Sequence, residues 1–465
     1  MSLPNVFDKS ENYFEECLTF FNEYQYLYSC ANTDILVNNI LEEIQVENLD
    51  DLDVFDKKFN LKDSEGVFLN KFFNKLERLS VAHNTFIDDS SLSETIDAPL
   101  SPKKKHEIIY LAKEIRDVCE ESGCDTIVDF GSGLGYLDQR LFDISNYKIL
   151  GIECNEGHYV NAKKRQRKYH ENSTKRVKYI KHTINDDSHT NIQEYLQDKF
   201  YKCGAFCITG LHACADLTVT AINLFLKMAD AKSMVLMSCC YHLMLRNNGR
   251  FRNFPLSNSL RVIFEERVSY QYISVPFLRL GAQPPHFDDN LEEMVFNLLA
   301  RSALQLYANT HNCQLRRNKR KAVKMKSVDK NFETYIQDAS EGYTLIPNTC
   351  SDNENDDKNP ESAKQFDFEK LREIWRQNCS DVTFKKAAIF VLLQKYLQPV
   401  LENFILYDRL VYLKEKGLMN CKFKKIFNEK DLPSSHLVLA SFLYVCEKFS
   451  HRYLPKTCYI VLWNR

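Results

Sequence analysis

The sequence predicts an α/β fold, a doubly wound parallel sheet. Three observations carry this: apolar strand-like runs alternate with helix-like segments, a glycine-rich turn follows the first run directly, and an acid ends the second. Such alternation gives a sheet with ligands at the carboxyl ends of its strands. The first strand is Thr126-Ile127-Val128, and Asp129 to Gly135 then read DFGSGLG. Glycine admits positive φ and lets a ligand touch bare backbone before a helix starts. The second strand, Leu150-Gly151-Ile152-Glu153, reaches its acid 18 residues past Gly135. Together these describe a nucleotide-type cofactor site.

The other elements follow in order. Glu11 to about Phe86 has apolar residues at helical spacing, including Phe20, Phe21, Tyr24, Leu27 and Tyr28. This aromatic N-terminal region is expected to dock on the catalytic domain of its own chain. Ser101 is an N-cap with Pro102 at the first helical position, opening a helix to about Glu121. Its start carries Lys103, Lys104 and Lys105, cations that oppose the helix dipole, so local stability does not explain them. They suit a solvated face or an anionic substrate. Gly157 to Glu171 reads as a basic helix, with Lys163, Lys164, Arg165, Arg167 and Lys168. Val177 to His182 is a third strand and Ala205 to Thr209 a fourth. The helix after Asp216 places Leu217, Ala221, Leu224 and Phe225 on one face. Met234 to Met237 is the fifth strand.

Beyond the fifth strand the chain changes character. Arg316 to Lys326, RRNKRKAVKMK, holds seven cations in eleven residues, and Asp352 to Glu361 is acidic and Asn-rich. The two runs read as a solvated loop of opposite charges or as a phosphate or receptor contact. Ala387 to Leu397, Pro399 to Leu413 and His436 to Phe449 have helical spacing, and Tyr459 to Trp463 reads as a final strand, antiparallel at the sheet edge. The expected organisation is a helical region over 1–98, a catalytic core over 99–300, a charged, flexible insertion over 301–365, and a helical segment with the last strand over 366–465.

The glycine turn also discriminates between cofactors. Dinucleotide folds use G-x-G-x-x-G. Here the third glycine comes one position early, at Gly135, and the Tyr136 ring disfavours a dinucleotide. Asp129 suits a cationic amino group, reached through the loop amides or water. Glu153 offers two oxygens to a pair of ribose hydroxyls. The ligand that combines these needs is S-adenosylmethionine, with Asp129, Gly131, Gly133, Gly135 and Glu153 as its contacts. Asp186, in the polar stretch after the third strand, is the candidate for the adenine amino group.

Gly210-Leu211-His212-Ala213-Cys214 and Ser238-Cys239-Cys240-Tyr241-His242 both follow strands and should face the same cleft. His212 and His242 are candidate general bases, since imidazole titrates near neutral pH. Pyrimidine C5 chemistry is not expected, because the proline-cysteine or threonine-cysteine pair is missing. No metal is expected either: there is no C-x-x-C pair, and adjacent Cys239 and Cys240 are awkward ligands of one ion. The Asn/Asp-Pro-Pro-Tyr/Phe turn of amine N-methylation is also absent.

Composition bounds the remaining choices. At 465 residues and a net charge of −2, the chain exceeds one usual domain and has no global attraction for nucleic acid. The 16 cysteines are scattered and the N-terminus MSLPNVFDKSENYF carries early acids, so reduced thiols and a cytoplasmic or nuclear location are expected. No apolar run approaches the ~18 residues of a membrane span. No pattern specifies an oligomeric state.

VDFGSGLGYLDQ, GLHACADL, SCCYHLM, NFPLS and LSPKKKHEI, with FNEYQYLYSCANTDILVNN and FSHRYLPKTCYIVL near the ends, resemble the methyltransferase-like protein 25 family. That family includes proteins called ribosomal RNA adenine dimethylase domain-containing. The resemblance covers most of the chain outside about Leu315 to Ser362. It implies a Rossmann-like class I methyltransferase sheet with an N-terminal helical region and a helical insertion, using S-adenosylmethionine through Gly131, Gly133, Gly135 and Glu153. Ala215 stands where relatives commonly have glycine. The histidine and cysteine motifs are also distantly similar to those of Trm-thirteen-type transfer RNA ribose methyltransferases, which implies an RNA acceptor. A protein acceptor, or an inactive methyltransferase fold serving as a binding module, is the alternative.

Overall fold

The computed structural model describes residues 4, 6–81, 96, 98–267, 273–283, 290–318, 323, 331–348, 364–418, 442–447 and 458–461. By compactness the chain divides into two units, one of residues 1–21, 78–286 and 398–465, the other of residues 22–77 and 287–397.

The first unit is built on a seven-stranded sheet. β1 (Thr126–Phe130), β2 (Lys148–Glu153), β3 (Val177–Lys181), β4 (Phe206–Cys214) and β5 (Ala231–Cys239) are parallel, in the order β3-β2-β1-β4-β5. The order reverses between β1 and β4, the place where doubly wound sheets open a crevice for ligands. Ile127, Ile149, Val177, Cys207, Val235 and Met237 share a core with α3 (Pro102–Ser122), α4 (Tyr136–Ser145) and α5 (Glu156–Tyr169). The alternating residues Val128, Leu150, Ile208, Met234 and Leu236 are equally buried but lie outside that core, so both faces are covered. Helix α6 (His189–Lys199) follows β3, and α7 (Asp216–Lys227) joins β4 to β5. The predicted doubly wound sheet is present.

Helix α3 starts as its sequence dictates, with Ser101 Oγ accepting the Lys104 amide at 3.3 Å and Pro102 at the first position. The sheet is extended past β5 by Phe442–Glu447, antiparallel to β5, and Cys458–Val461, antiparallel to it in turn. Helical spacing over His436 to Phe449 therefore misleads: within it, residues 442–447 form a strand. The FLYVCE run is rich in β-branched and aromatic residues, and pairing with β5 decides between the two periods. Residues 436–441 and 448–449 lie outside the described ones, as do Trp463 of the expected last strand and residues 352–361 of the acidic run.

The N-terminal helix α1 (Ser10–Glu23) seats Tyr13 and Phe14 against Phe404 and Tyr407, with ring centroids 5.3 to 5.5 Å apart, and Ser10 Oγ bonds Tyr407 Oη at 3.0 Å. Phe404 and Tyr407 belong to α13 (Asp381–Glu415). This helix is continuous, where the sequence suggested a break before Pro399. Proline in a helix interior costs about 3 kcal/mol. Burial of Leu397, Val400, Leu401, Phe404 and Ile405 on both sides of it offsets that cost. Further along, buried Asp408 accepts the amides of Leu256 at 2.6 Å and Ser257 at 2.8 Å, and the Ser257 hydroxyl at 2.6 Å. The NFPLS segment is thereby fastened to α13.

In the second unit, α10 (Leu291–Thr310), α11 (Phe332–Gly342) and α12 (Phe368–Asn378) pack with the antiparallel pair Cys313–Arg317 and Tyr343–Pro347. Part of the expected charged insertion is thus folded. Phe332, Tyr335, Ile336 and Ala339 give α11 a buried face, and Phe332 stacks on Trp375 at 4.3 Å. Of the basic run, Arg316 and Arg317 lie in a strand, and residues 319–322 and 324–326 are outside the described ones. No helix among the described residues is long and apolar enough to cross a membrane.

Candidate functional site

The turn between β1 and α4 is held from β2. Gly131 and Ser132 amides both donate to the Ile152 carbonyl, at 2.9 and 3.1 Å. Gly133 and Gly135 have φ of 57° and 71°, the left-handed region that a side chain resists. At Gly135 a β-carbon would also lie 2.6 Å from Tyr179 Cζ, so no other residue fits there. The turn ends with Gly135 capping α4, and the Tyr136 ring lies under the Arg165 guanidinium at 3.8 Å. Arg165 therefore braces α4, although it is one of the cations of the basic α5.

Glu153, buried at the end of β2, accepts the Gly133 amide at 2.9 Å through Oε2 and the Asn155 amide at 2.7 Å through Oε1. Oε1 also accepts the Cys154 thiol at 3.6 Å, and Oε2 retains a further lone pair for a ribose hydroxyl. Asp129 Oδ1, Ser132 Oγ and both oxygens of Asp138 are buried without a hydrogen-bond partner. Burial raises the Asp129 carboxyl to about 7, with the Glu153 charge adding to it, and burial beside Asp129 raises Asp138 as well. Asp138, on the first turn of α4, carries no sequence signal beyond its place nine residues after Asp129. A concentrated set of buried acceptors beside an open-backbone turn fits a ligand with a cationic amino group.

Asp186 is differently placed. Its Oδ2 is 3.2 Å from Arg252 and its Oδ1 3.4 Å from Asn223, while Lys227 reaches its carbonyl at 2.7 Å. It links the loop after β3 to α7.

β4 and β5 run further than the apolar runs suggest, so GLHAC and Ser238-Cys239 lie within strands and not after them, while Cys240 falls just past β5. The ladder is irregular between Gly210 and Ala213, and His212 there has φ of 63°. This bulge turns His212 toward α3, where its Nε2 lies 3.0 Å from Glu107 Oε2. Glu107 is 1% exposed and His212 27%. Burial alone would raise Glu107, yet His212, with Lys103 and Lys104 at 3.4 and 3.8 Å, holds its carboxyl below the usual range. Burial in turn brings Lys103 down to about 8, against the opposing pull of Glu107. Lys103 and Lys104 thus face Glu107 and are not a purely solvated run. Glu107 is the principal residue that sequence reasoning missed. Its one trace is that it shares the buried face of α3 with Ile108, Leu111 and Ile115.

His242 follows β5 on a short turn, its Nδ1 buried without a partner, and burial lowers its imidazole, with Arg279 adding to the effect. The Cys214 and Cys239 sulfurs are 2.9 Å apart, and Cys240 is held at φ of 53°.

Residues 103–247 match the family model described as "Methyltransferase domain". Solved structures similar in fold include M. capricolum TrmK in complex with S-adenosyl-homocysteine, at 15% identity over 30% of this chain and 53% of that one, TM-score 0.22. Others are the N-terminal domain of human METTL16 in complex with SAH, at 14% over 38% and 68%, TM-score 0.24, and the methyltransferase domain of bacterial CtHen1-C, at 14% over 36% and 85%, TM-score 0.22. The chain spans about half the length of the TrmK chain. The family match falls on the segment that holds the glycine turn, Glu153, Glu107, His212 and the cysteines. Residues 103–247 are a methyltransferase domain, and S-adenosylmethionine is its cofactor.

Proposed function

We propose that this methyltransferase acts on RNA, with His212 as the general base on the acceptor and Glu107 as its positioning residue. The observation that carries the proposal is the Glu107–His212 contact, at 3.0 Å, at the carboxyl end of β4. S-adenosylmethionine supplies an electrophilic methyl group on a cationic sulfonium. The Glu107 carboxylate takes the Nε2–H, which leaves Nδ1 as the basic nitrogen of His212. Nδ1 would accept the proton that the acceptor hydroxyl or amine gives up, and the buried carboxylate would stabilise the imidazolium so formed. Gly131, Gly133, Gly135 and Glu153 hold the cofactor, and Asp129 with Asp138 faces its amino group. Asp186 offers the adenine amino group the lone pairs that Asn223 and Arg252 leave on its two oxygens.

An RNA acceptor is supported by what surrounds the strand ends. After His242 the chain exposes Leu243 and Leu245 and then a two-stranded ribbon, Arg246–Asn247 with Arg250–Phe251, whose arginines are exposed. Lys164, Arg167 and Lys168 are exposed on α5. Local arginine and lysine of this kind serve phosphate contacts in a chain without overall positive charge.

The test is transfer of tritiated methyl from labelled S-adenosylmethionine into RNA and protein fractions of cells lacking the protein. Label in RNA that a ribonuclease removes, and that His212→Ala fails to deposit, is the expected result. Label confined to protein overturns the RNA acceptor. Absence of transfer with intact cofactor binding would favour a binding module.

A further inference from the structure

Three thiols meet where β4 and β5 end. Cys214 and Cys239 are opposite each other in the strand register, and the sulfurs of Cys214, Cys239 and Cys240 all lie within 4.8 Å of one another. Consecutive residues of an extended strand point to opposite faces, so Cys239 and Cys240 would ordinarily diverge. The left-handed φ of Cys240, 53°, turns its side chain back to its neighbour's side. A β-carbon resists that region. Two more non-glycine residues near it have positive φ, His212 at 63° and Ala215 at 52°. His212 stands in the bulge that brings Cys214 level with Cys239. Strain at three neighbouring positions thus has one product, the convergence of three sulfurs.

We infer that Cys214, Cys239 and Cys240 are ligands of a zinc ion whose fourth position is open to the site beside His212. Zinc takes thiolates at ~2.3 Å in a tetrahedron, which sets sulfurs roughly 3.8 Å apart, and sites with three protein ligands keep a place for water or substrate. That spacing lies inside the 4.8 Å envelope, with Cys214 and Cys239 opening from 2.9 Å. Three soft thiolates select zinc over magnesium or calcium. Binding releases the thiol protons to solvent and leaves a net charge of −1 on the cluster. Lys103 and Lys104, at the start of α3, act on Cys239 and Cys214 and balance that charge. The adjacency of Cys239 and Cys240, which argued against a metal from sequence, is resolved by the backbone of Cys240.

The test uses the full chain purified without chelators. Plasma mass spectrometry is expected to find one zinc per chain, and Co2+ in its place to give sulfur-to-cobalt charge-transfer bands with the intense visible bands of a tetrahedral site. Cys214→Ser and Cys239→Ser are expected to weaken zinc binding by more than the ~10–100-fold that loss of a group behind the ligands costs, and Cys203→Ser, away from the cluster, to leave it unchanged. Should a serine variant misfold, the wild-type cobalt spectrum decides alone. A spectrum without sulfur charge transfer, zinc that stays bound in folded Cys214→Ser, or a Cys214–Cys239 disulfide recovered from the alkylated native chain would overturn the site.

Discussion

Glu153 holds the glycine turn from the next strand, its Oε2 accepting the Gly133 amide at 2.9 Å while Oε1 accepts the Asn155 amide at 2.7 Å. One carboxylate therefore shapes the turn as well as offering oxygens to a ribose. Glu153→Ala removes both functions, and we expect cofactor affinity to fall at least tenfold by isothermal titration with an unchanged far-UV circular dichroism spectrum. Glu153→Gln keeps one acceptor and should lie between. Wild-type affinity in Glu153→Ala would remove Glu153 from the cofactor site.

Gly135→Ala meets two obstacles at once, a left-handed φ of 71° and the Tyr179 ring, whose Cζ would stand 2.6 Å from the new carbon. Left-handed strain and overpacking each cost about 1–3 kcal/mol. The expected result is a loss of about 2–4 kcal/mol in chemical denaturation. A variant as stable as wild type would show that the turn relaxes freely.

For the proposed base, His212→Ala and Glu107→Gln are expected to lower kcat by about 10²–10⁴-fold, the usual contribution of general base catalysis. Cofactor affinity should hold. The double variant should be no worse than His212→Ala, because Glu107 acts through the imidazole. Additive losses would mean that Glu107 works by another route. His242→Ala is expected to lower turnover more than cofactor affinity, and unchanged turnover would remove it from the mechanism.

Three buried carboxyls give the unliganded protein a pH dependence of definite sign. Burial raises Asp129 to about 7 and Asp408 to about 6, and Asp138 is raised too. Against an unfolded value of ~3.9, the folded state favours the protonated form. The stability contributed is complete below pH ~4 and is lost as pH rises through ~7. Thermal unfolding from pH 5 to 8 should show wild type losing more stability than Asp138→Asn, by about 1.4 kcal/mol for each pKa unit removed. Parallel curves would refute a raised Asp138 carboxyl.

Asp408→Ala leaves the Leu256 and Ser257 amides and the Ser257 hydroxyl buried without their acceptor. Unsatisfied buried donors cost about 1–3 kcal/mol each. A loss of about 3 kcal/mol or more is expected in denaturant titration, and a loss under about 1 kcal/mol would mean that water replaces the carboxylate.

The parts legible in the sequence are those that local chemistry fixes. Alternating apolar runs gave β1 to β5, and the spacing from Gly135 to Glu153 gave the turn with its acid. The Glu107–His212 contact was not legible, because it depends on a bulge in which His212, not a glycine, takes a positive φ, which no residue type announces. Residues 442–447 deceived for a related reason: their spacing suits a helix, and only the partner strand β5 settles the matter. The folded hairpin around α11 was masked by the basic run that begins in it.

The bond between Ser10 and Tyr407 spans 397 residues of chain. At a synthesis rate of about 5–20 residues per second, α1 waits roughly 20 to 80 s for its partner on α13. During that interval the aromatic face of Tyr13 and Phe14 is bare on the nascent chain, and it is there that a chaperone has its time to act.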